Sequence, residues 1–277
     1  GRAQLEPRGQ FVLCAAALVE RLTLGGQVLQ QPQPQQPAVS GMHRAAVQHI
    51  PALAPALVER LAEEPELLRL GGETRDLTIL FADLRGFTAV AESYRTDPQA
   101  LTALMNRLMS RLSGAIIDSG GTIDKFMGDA VMAFWNAPLD EPDHAAKAVE
   151  AALEMRHRLA ALEAERGAEA KAEGRAHLPL NIGIGINSGA CVVGNMGSEA
   201  RFDYTALGDA VNLAARLEGL TVQLGAPILL GEASVARLGG RFTCREIGET
   251  RVKGKSETVR VFALDDVARQ PDQALIN

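Results

Sequence analysis

The chain has 277 residues, 47% of them hydrophobic, enough for one large domain, or one domain with an appendage, and its buried core. Its 28 Lys and Arg against 34 Asp and Glu give a net charge of −6, which argues against a nucleic-acid-binding surface. Three cysteines, Cys14, Cys191 and Cys244, are odd in number and lack metal-ligand spacing, so a reducing, cytoplasmic setting fits better than a disulfide framework.

Taken in chain order, residues 1–26 carry apolar positions at Phe11, Val12, Ala15, Leu18, Val19 and Leu22 at helical spacing, with Gly25 and Gly26 as a stop. The apolar run 11–19 ends in Glu20 and Arg21, well short of the roughly 20 residues of a membrane span. No signal-peptide pattern opens the chain, and it starts at Gly1, so a fragment of a longer protein is expected, with the parent's membrane status open. Residues 30–37, Gln-Gln-Pro-Gln-Pro-Gln-Gln-Pro, read as an extended linker unable to pack a core. A second helical pattern follows to Leu70, with Leu57, Val58, Leu61, Leu67 and Leu68 on one face and Gly71-Gly72 closing it.

Residues 77–82 alternate apolar and β-branched side chains over a strand's length and end at Asp83, before a turn at Gly86 and a helical pattern. By itself such an acid reads as a helix cap. A second stretch, 120–136, reads as strand, Gly128-Asp129 turn, strand, with Asp129 at the tip of a hairpin. If these strands are neighbours in one sheet, Asp83 and Asp129 meet at one edge. That would make an oxygen-rich site for Mg²⁺ or Mn²⁺ rather than zinc, suited to phosphoryl or nucleotidyl transfer.

Residues 97–119 predict a long amphipathic helix with Leu101, Leu104, Met105, Leu108 and Leu112 toward the core, and 143–165 a further helix running into a charged segment that ends near Arg175. Residues 178–188 and 189–196 predict a second hairpin-like pair. Gly183 and Gly185 lack the following helix of a phosphate-binding loop, and read as strand glycines permitting close packing. A helix over 207–224 carries Asn212 and Arg216, four apart and so on one face. Short strands at 228–230, 242–247 and 259–264, with a short helix near Ser234, complete an α+β fold of one mostly antiparallel sheet backed by helices.

Three motifs in order and spacing carry a resemblance: Phe81-Ala-Asp83-Leu-Arg-Gly-Phe-Thr88, Lys125-Phe-Met-Gly-Asp129, and Tyr204-Thr-Ala-Leu-Gly-Asp-Ala-Val-Asn212-Leu-Ala-Ala-Arg216. Together they resemble the signature of class III nucleotidyl cyclases, over about residues 75–264. The resemblance implies a ferredoxin-like, palm-type sheet and a catalytic domain over 73–266. Residues 1–40 would then be an N-terminal segment and linker, and 267–277 a tail. For 41–72 it implies a signalling helix that couples an upstream sensor, or a membrane domain of the parent, to the catalysis. A helix packed on its own domain remains the other reading.

The resemblance further implies ATP as substrate, two Mg²⁺ or Mn²⁺ ions per site on Asp83 and Asp129, with the Leu84 carbonyl as an added ligand, and cyclic AMP and pyrophosphate as products. Asn212 would orient the ribose, and Arg216 would stabilise charge on the α-phosphate, a task its guanidinium fork suits. Lys125 and Thr205 would read the adenine edge, where guanylyl cyclases usually carry Glu and Cys. A lysine only donates, and so meets the ring-nitrogen acceptor of adenine but not the donor of guanine. Thr205 in place of the commoner Asp resembles the subclass often stimulated by bicarbonate. Lys253 matches a lysine that reaches the terminal phosphates, though a basic surface turn accounts for it too, and Arg201 is a further phosphate contact. A head-to-tail homodimer would complete each metal site with the other protomer's Lys125, Thr205, Asn212 and Arg216. The rivals are a guanylyl cyclase and a catalytically silent, dimerising regulatory module.

Overall fold

A computed structural model of the chain describes residues 71–198, 201–251 and 258–265. The N-terminal helical patterns, the Gln/Pro linker, Lys253 and the C-terminal tail lie outside the described residues. Gly71 and Gly72, expected to close the coupling helix, are instead the first residues of strand β1, Gly71–Arg85.

Among the described residues, eight strands make one sheet. After β1 come helices α1 (Phe87–Ser93) and α2 (Pro98–Asp118), the hairpin β2 (Thr122–Met127) and β3 (Ala130–Trp135), and the long helix α3 (His144–Ala172). Then follow β4 (Asn181–Ser198), β5 (Arg201–Leu207), α4 (Asp209–Leu220), β6 (Ile228–Gly231), α5 (Glu232–Arg237), β7 (Cys244–Arg251) and β8 (Thr258–Leu264). The strand order is β2-β3-β1-β4-β6-β8-β7, with β5 on β4. Only the β4–β6 pair is parallel, as expected for a mostly antiparallel sheet.

Period-two alternation along β1 divides its side chains between two layers. Leu80, Ala82 and Leu84 face α2 and α3, where Leu104, Leu108, Leu112, Met155, Leu159 and Leu162 are buried. Leu77 and Ile79 face the other way, with Met132, Phe134, Val193 and Ala206, and are covered by Ala210, Val211 and Ala214 of α4. Helix α2 begins as its sequence dictates, with the Asp97 carboxylate accepting from the Ala100 amide at 3.0 Å and proline at its first position.

Two expectations are corrected. Residues 178–196 are not a hairpin-like pair: 181–198 is one continuous strand, whose Gly189 pairs with Leu77 of β1 without a turn. The unbroken β1 ladder, from Gly71↔Asn195 to Arg85↔Asn181, holds the Ser188-Gly189 step extended. The predicted helix over 207–224 is shorter, because 201–207 is strand β5, paired with the second half of β4. Gly185 fulfils its expectation: a Cβ there would stand 2.2 Å from the Glu218 amide nitrogen and 2.3 Å from the Ala214 carbonyl oxygen. Helix α4 therefore sits directly on the β4 backbone.

Candidate active site

The β1–β3 register ends at Ala82↔Val131, so Asp83 lies one residue beyond the last pair, next to the turn that joins β2 to β3. That turn is the two residues Gly128-Asp129, with Gly128 at φ +69°, a conformation glycine adopts at no steric cost. The two acids thus meet at one end of the sheet. Asp83 holds its proton to higher pH than an ordinary carboxyl, first because it is partly buried and next because the Asp129 charge repels its own; Arg85 and the Leu84 amide work the other way. The Leu84 side chain itself is buried in the helix-facing core.

A mutually repelling, oxygen-only pair, 34% exposed at Asp83, suits a hard divalent cation. Among the described residues no third Asp, Glu, His or Cys joins them in a metal-sized cluster. The donor set therefore fits an ion that takes its remaining ligands from phosphate oxygens and water, as Mg²⁺ and Mn²⁺ do.

Arg85 was not singled out by its sequence position, yet it braces this corner. Its Nη2 donates to the Glu218 carboxylate at 2.5 Å, to Thr221 Oγ1 at 2.5 Å and to the Glu218 carbonyl at 3.0 Å, while Nη1 lies 4.0 Å from Asp83 Oδ2. The end of β1 is thereby tied to the C-terminal end of α4. Burial raises the Glu218 carboxyl, the Arg85 charge lowers it, and the Asp83 charge raises it.

Asn212 and Arg216 occupy the part of α4 left over when Ala210, Val211, Leu213, Ala214 and Leu217 are buried against the sheet. Asn212 is exposed and Arg216 half-buried. Arg201 opens β5; Lys253 is outside the described residues.

Lys125 and Thr205 do come together, with Lys125 Nζ 3.5 Å from Thr205 Oγ1. Between them is a residue that pattern reading passed over, Asp124. Ile123 pairs with Ala133 and Lys125 with Met132, so Asp124 is the extra residue of a β-bulge. The bulge turns Asp124 and Lys125 to the same side instead of opposite faces. Thr205 Oγ1 donates to Asp124 Oδ2 at 2.6 Å, the Ala206 amide approaches the same oxygen at 3.4 Å, and Lys125 Nζ lies 3.1 Å from Oδ1. That last approach is close enough for charge attraction but lacks hydrogen-bond geometry, leaving Oδ1 buried without a hydrogen bond. The Asp124 side chain is 0% exposed.

A cleft of about 610 Å³ is lined by Arg85, Arg156, Glu163, His177 and Thr221, among others. None of Asp83, Asp129, Lys125, Thr205, Asn212 and Arg216 lines it. Asp83 and Asp129 instead lie at the end of β1, Lys125 and Thr205 at the β2–β5 contact, and Asn212 and Arg216 along α4.

Comparison with known proteins shows the family. The sequence profile of the family described as adenylate and guanylate cyclase catalytic domain matches residues 72–265. An adenylate cyclase of Anabaena cylindrica is 37% identical over 193 residues, 68% of this chain and 36% of that protein. Adenylate cyclase 1 of Rhizobium meliloti is 33% identical over 195 residues, 70% of this chain and 28% of that protein. The chain thus spans about a third of the length of these curated relatives. Among solved structures, the adenylyl cyclase CyaB from P. aeruginosa superimposes with a TM-score of 0.64 at 36% identity, covering 73% of this chain and 100% of that one. The guanylyl cyclase Cya2 does so with 0.62 at 32% identity, covering 73% and 97%. On the sequence profile, the curated relatives and the shared fold, the chain belongs to the class III adenylyl and guanylyl cyclase family, whose catalytic domain it contains.

Proposed function

We propose that this domain is an adenylyl cyclase, converting ATP to 3′,5′-cyclic AMP and pyrophosphate at sites shared between two copies of the chain. The observation that carries the choice of base is the Lys125–Thr205 contact at 3.5 Å. An ammonium donates only, and adenine offers it an acceptor at the ring nitrogen where guanine carries a proton. Leaving such a pair mismatched costs about 1–3 kcal/mol. The named adenylate cyclases among the relatives support the same reading.

In the reaction, the 3′-oxygen of ATP forms a bond to the α-phosphorus and the bond from that phosphorus to the β-phosphate oxygen breaks. The hydroxyl proton leaves to water or to a phosphate oxygen. Asp83 and Asp129, with the Leu84 carbonyl, would hold two Mg²⁺ or Mn²⁺ ions, which when bound supply Lewis-acid activation of the hydroxyl and neutralise the phosphates. Lys125 and Thr205 hold the adenine, Asn212 the ribose, and Arg216 the charge that grows on the α-phosphate. Lys253 holds the terminal phosphates, and Arg201 is a further phosphate contact.

Sharing of each site between protomers is supported by exposed apolar side chains beside the Lys125–Thr205 contact. Phe126 and Met127 on β2 and Leu207 and Phe202 on β5 are exposed, as is Val192, which pairs with Leu207 across the β4–β5 ladder. Residues 41–70 are proposed to couple a sensor to the dimer. The two described cysteines are free, which supports a reducing compartment. Among the described residues, no helix is long and apolar enough to cross a membrane. Thr205 makes bicarbonate stimulation a further proposal, and equal cyclic AMP output with and without bicarbonate at fixed pH removes it.

The test is turnover of ATP and GTP with Mn²⁺ by wild type, Asp83→Ala, Arg216→Ala and an equal mixture of the two variants. Cyclic AMP from wild type, its loss in each variant, and partial recovery in the mixture are expected. Cyclic GMP as the main product reassigns the substrate. No product from either nucleotide favours a silent regulatory module.

A further inference from the structure

We propose that Asp124 is the residue that makes this site select adenine over guanine, by fixing the polarity of the Thr205 hydroxyl. The inference rests on the adenylyl cyclase reading and assigns its specificity to a side chain that does not itself touch the base.

A threonine hydroxyl is ambivalent: it has one proton to donate and two lone pairs that accept. Left to itself beside a nucleobase, it can meet the 6-amino group of adenine by accepting or the 6-oxo group of guanine by donating, and so discriminates weakly. In this fold the choice is made beforehand. Asp124, as a carboxylate, only accepts, so the 2.6 Å contact from Thr205 Oγ1 to Oδ2 consumes the hydroxyl's single proton. Lys125, as an ammonium, only donates, so its approach to the same oxygen at 3.5 Å faces a lone pair. What remains of Thr205 toward a ligand is an acceptor. Beside it stands Lys125, a donor. Adenine presents the complementary pair, an amine that donates and a ring nitrogen that accepts; guanine presents the reverse.

The carboxylate is well placed to enforce this. Its side chain is wholly removed from solvent, so water does not compete for Thr205, and the bulge in β2 is what aims it there. Its second oxygen lies 3.1 Å from Lys125 Nζ and has no hydrogen bond, so it also draws the lysine toward the threonine. A purely structural tie between β2 and β5 would need the contact but not its direction. Direction is what the experiment reads.

Asp124→Asn keeps the shape and places an amide where the carboxylate was. Its NH₂ donates to Thr205, which frees the hydroxyl proton to point at the base. The preference for ATP over GTP is measured in each variant both as the ratio of kcat/KM and by titrating binding of the two nucleotides, so that a ratio is obtained whether or not turnover is fast. Expected is a fall in the ATP:GTP ratio of roughly ten- to a hundredfold. Asp124→Ala, which removes the acceptor altogether, should relax the ratio too, and Thr205→Ser, which keeps a hydroxyl, should retain it. In a Thr205→Val background, Asp124→Asn should change the ratio no further, since both act through one hydroxyl.

An unchanged ratio in Asp124→Asn and Asp124→Ala, with both nucleotides losing equally, overturns the proposal and leaves a structural tie. So does a shift of the ratio that persists in Thr205→Val. Wild type that prefers GTP in both measurements overturns the adenylyl cyclase reading, and the proposal with it.

Discussion

Two aspartates that lie in strands of the same sheet have opposite circumstances. Asp83, just past the last β1–β3 pair, is about a third exposed, and Asp129 beside it repels its charge. Asp124, in the bulge of β2, is fully enclosed and has a hydroxyl donating to it and an ammonium beside it. The first carboxylate has the Arg85 guanidinium only at 4.0 Å, against the repulsion of Asp129; the second is closely matched, and shapes its neighbours. In the proposed reading, identical side chains divide into a reactive role and a positioning role according to what surrounds them.

The largest effect that would sharpen this contrast is loss of the repelling pair. Asp83→Ala should lower turnover by about a thousandfold or more, the several kcal/mol expected of a metal ligand, while the melting temperature holds or rises because a strained charge is gone. A fall in melting temperature of many degrees would show that Asp83 is a structural group instead. Next comes Arg216→Ala, for which removal of a charge stabiliser predicts a loss of about 3–4 kcal/mol in kcat, roughly a hundred- to a thousandfold, with KM for ATP little moved. An equal loss expressed wholly in KM would place Arg216 in ground-state binding instead.

A smaller change tests how α4 is seated on β4. Gly185→Ala puts a methyl group against the Glu218 amide and the Ala214 carbonyl of α4, so about 3 kcal/mol of stability should be lost, the upper part of the range for overpacking. In a domain this size that is a fall of roughly 6–12 °C, read by thermal melting. The Arg85 brace to Glu218 and Thr221 would shift with the helix.

The smallest effect is the response of the unloaded protein to cations and to pH. Mn²⁺ at about ten times its dissociation constant should raise stability by about 1.4 kcal/mol, a few degrees, in wild type and not in Asp83→Ala. The sign with pH follows from the direction of the Asp83 shift. Its folded-state value is raised, so the folded chain binds the proton more tightly than the unfolded chain, and the group favours folding most below the ordinary carboxylate value of 3.8. That contribution disappears as pH climbs from there through the raised value. Saturating Mn²⁺ should reverse the sign by favouring the ionised pair, and a melting curve against pH with and without the ion checks it.

The reactive pair was the more legible half. Apolar alternation into Asp83 and a Gly-Asp turn at Asp129 are local signals, and strand pairing did the rest. The positioning half was hidden, because Lys125 and Thr205 could be named only through family resemblance and Asp124 not at all. In a regular strand Asp124 would face away from Lys125, and nothing in a hydrophobic pattern announces a one-residue bulge. The same limit explains 181–198: its Ser-Gly step looks like a turn by composition, and becomes strand only because β1 supplies a partner along its whole length.

What the chain's own sequence determined, then, is whatever depends on neighbours along it: the helical stripe of α2, the glycine-led turn at 128–129, the four-residue spacing of Asn212 and Arg216, and the acids that close apolar strands. Tertiary structure alone decided what surrounds Asp83 and Asp124. Charge and hydrogen-bond polarity are set by groups brought in from distant strands, as Thr205 is brought to Asp124 across 81 residues of chain, and no local pattern encodes that meeting.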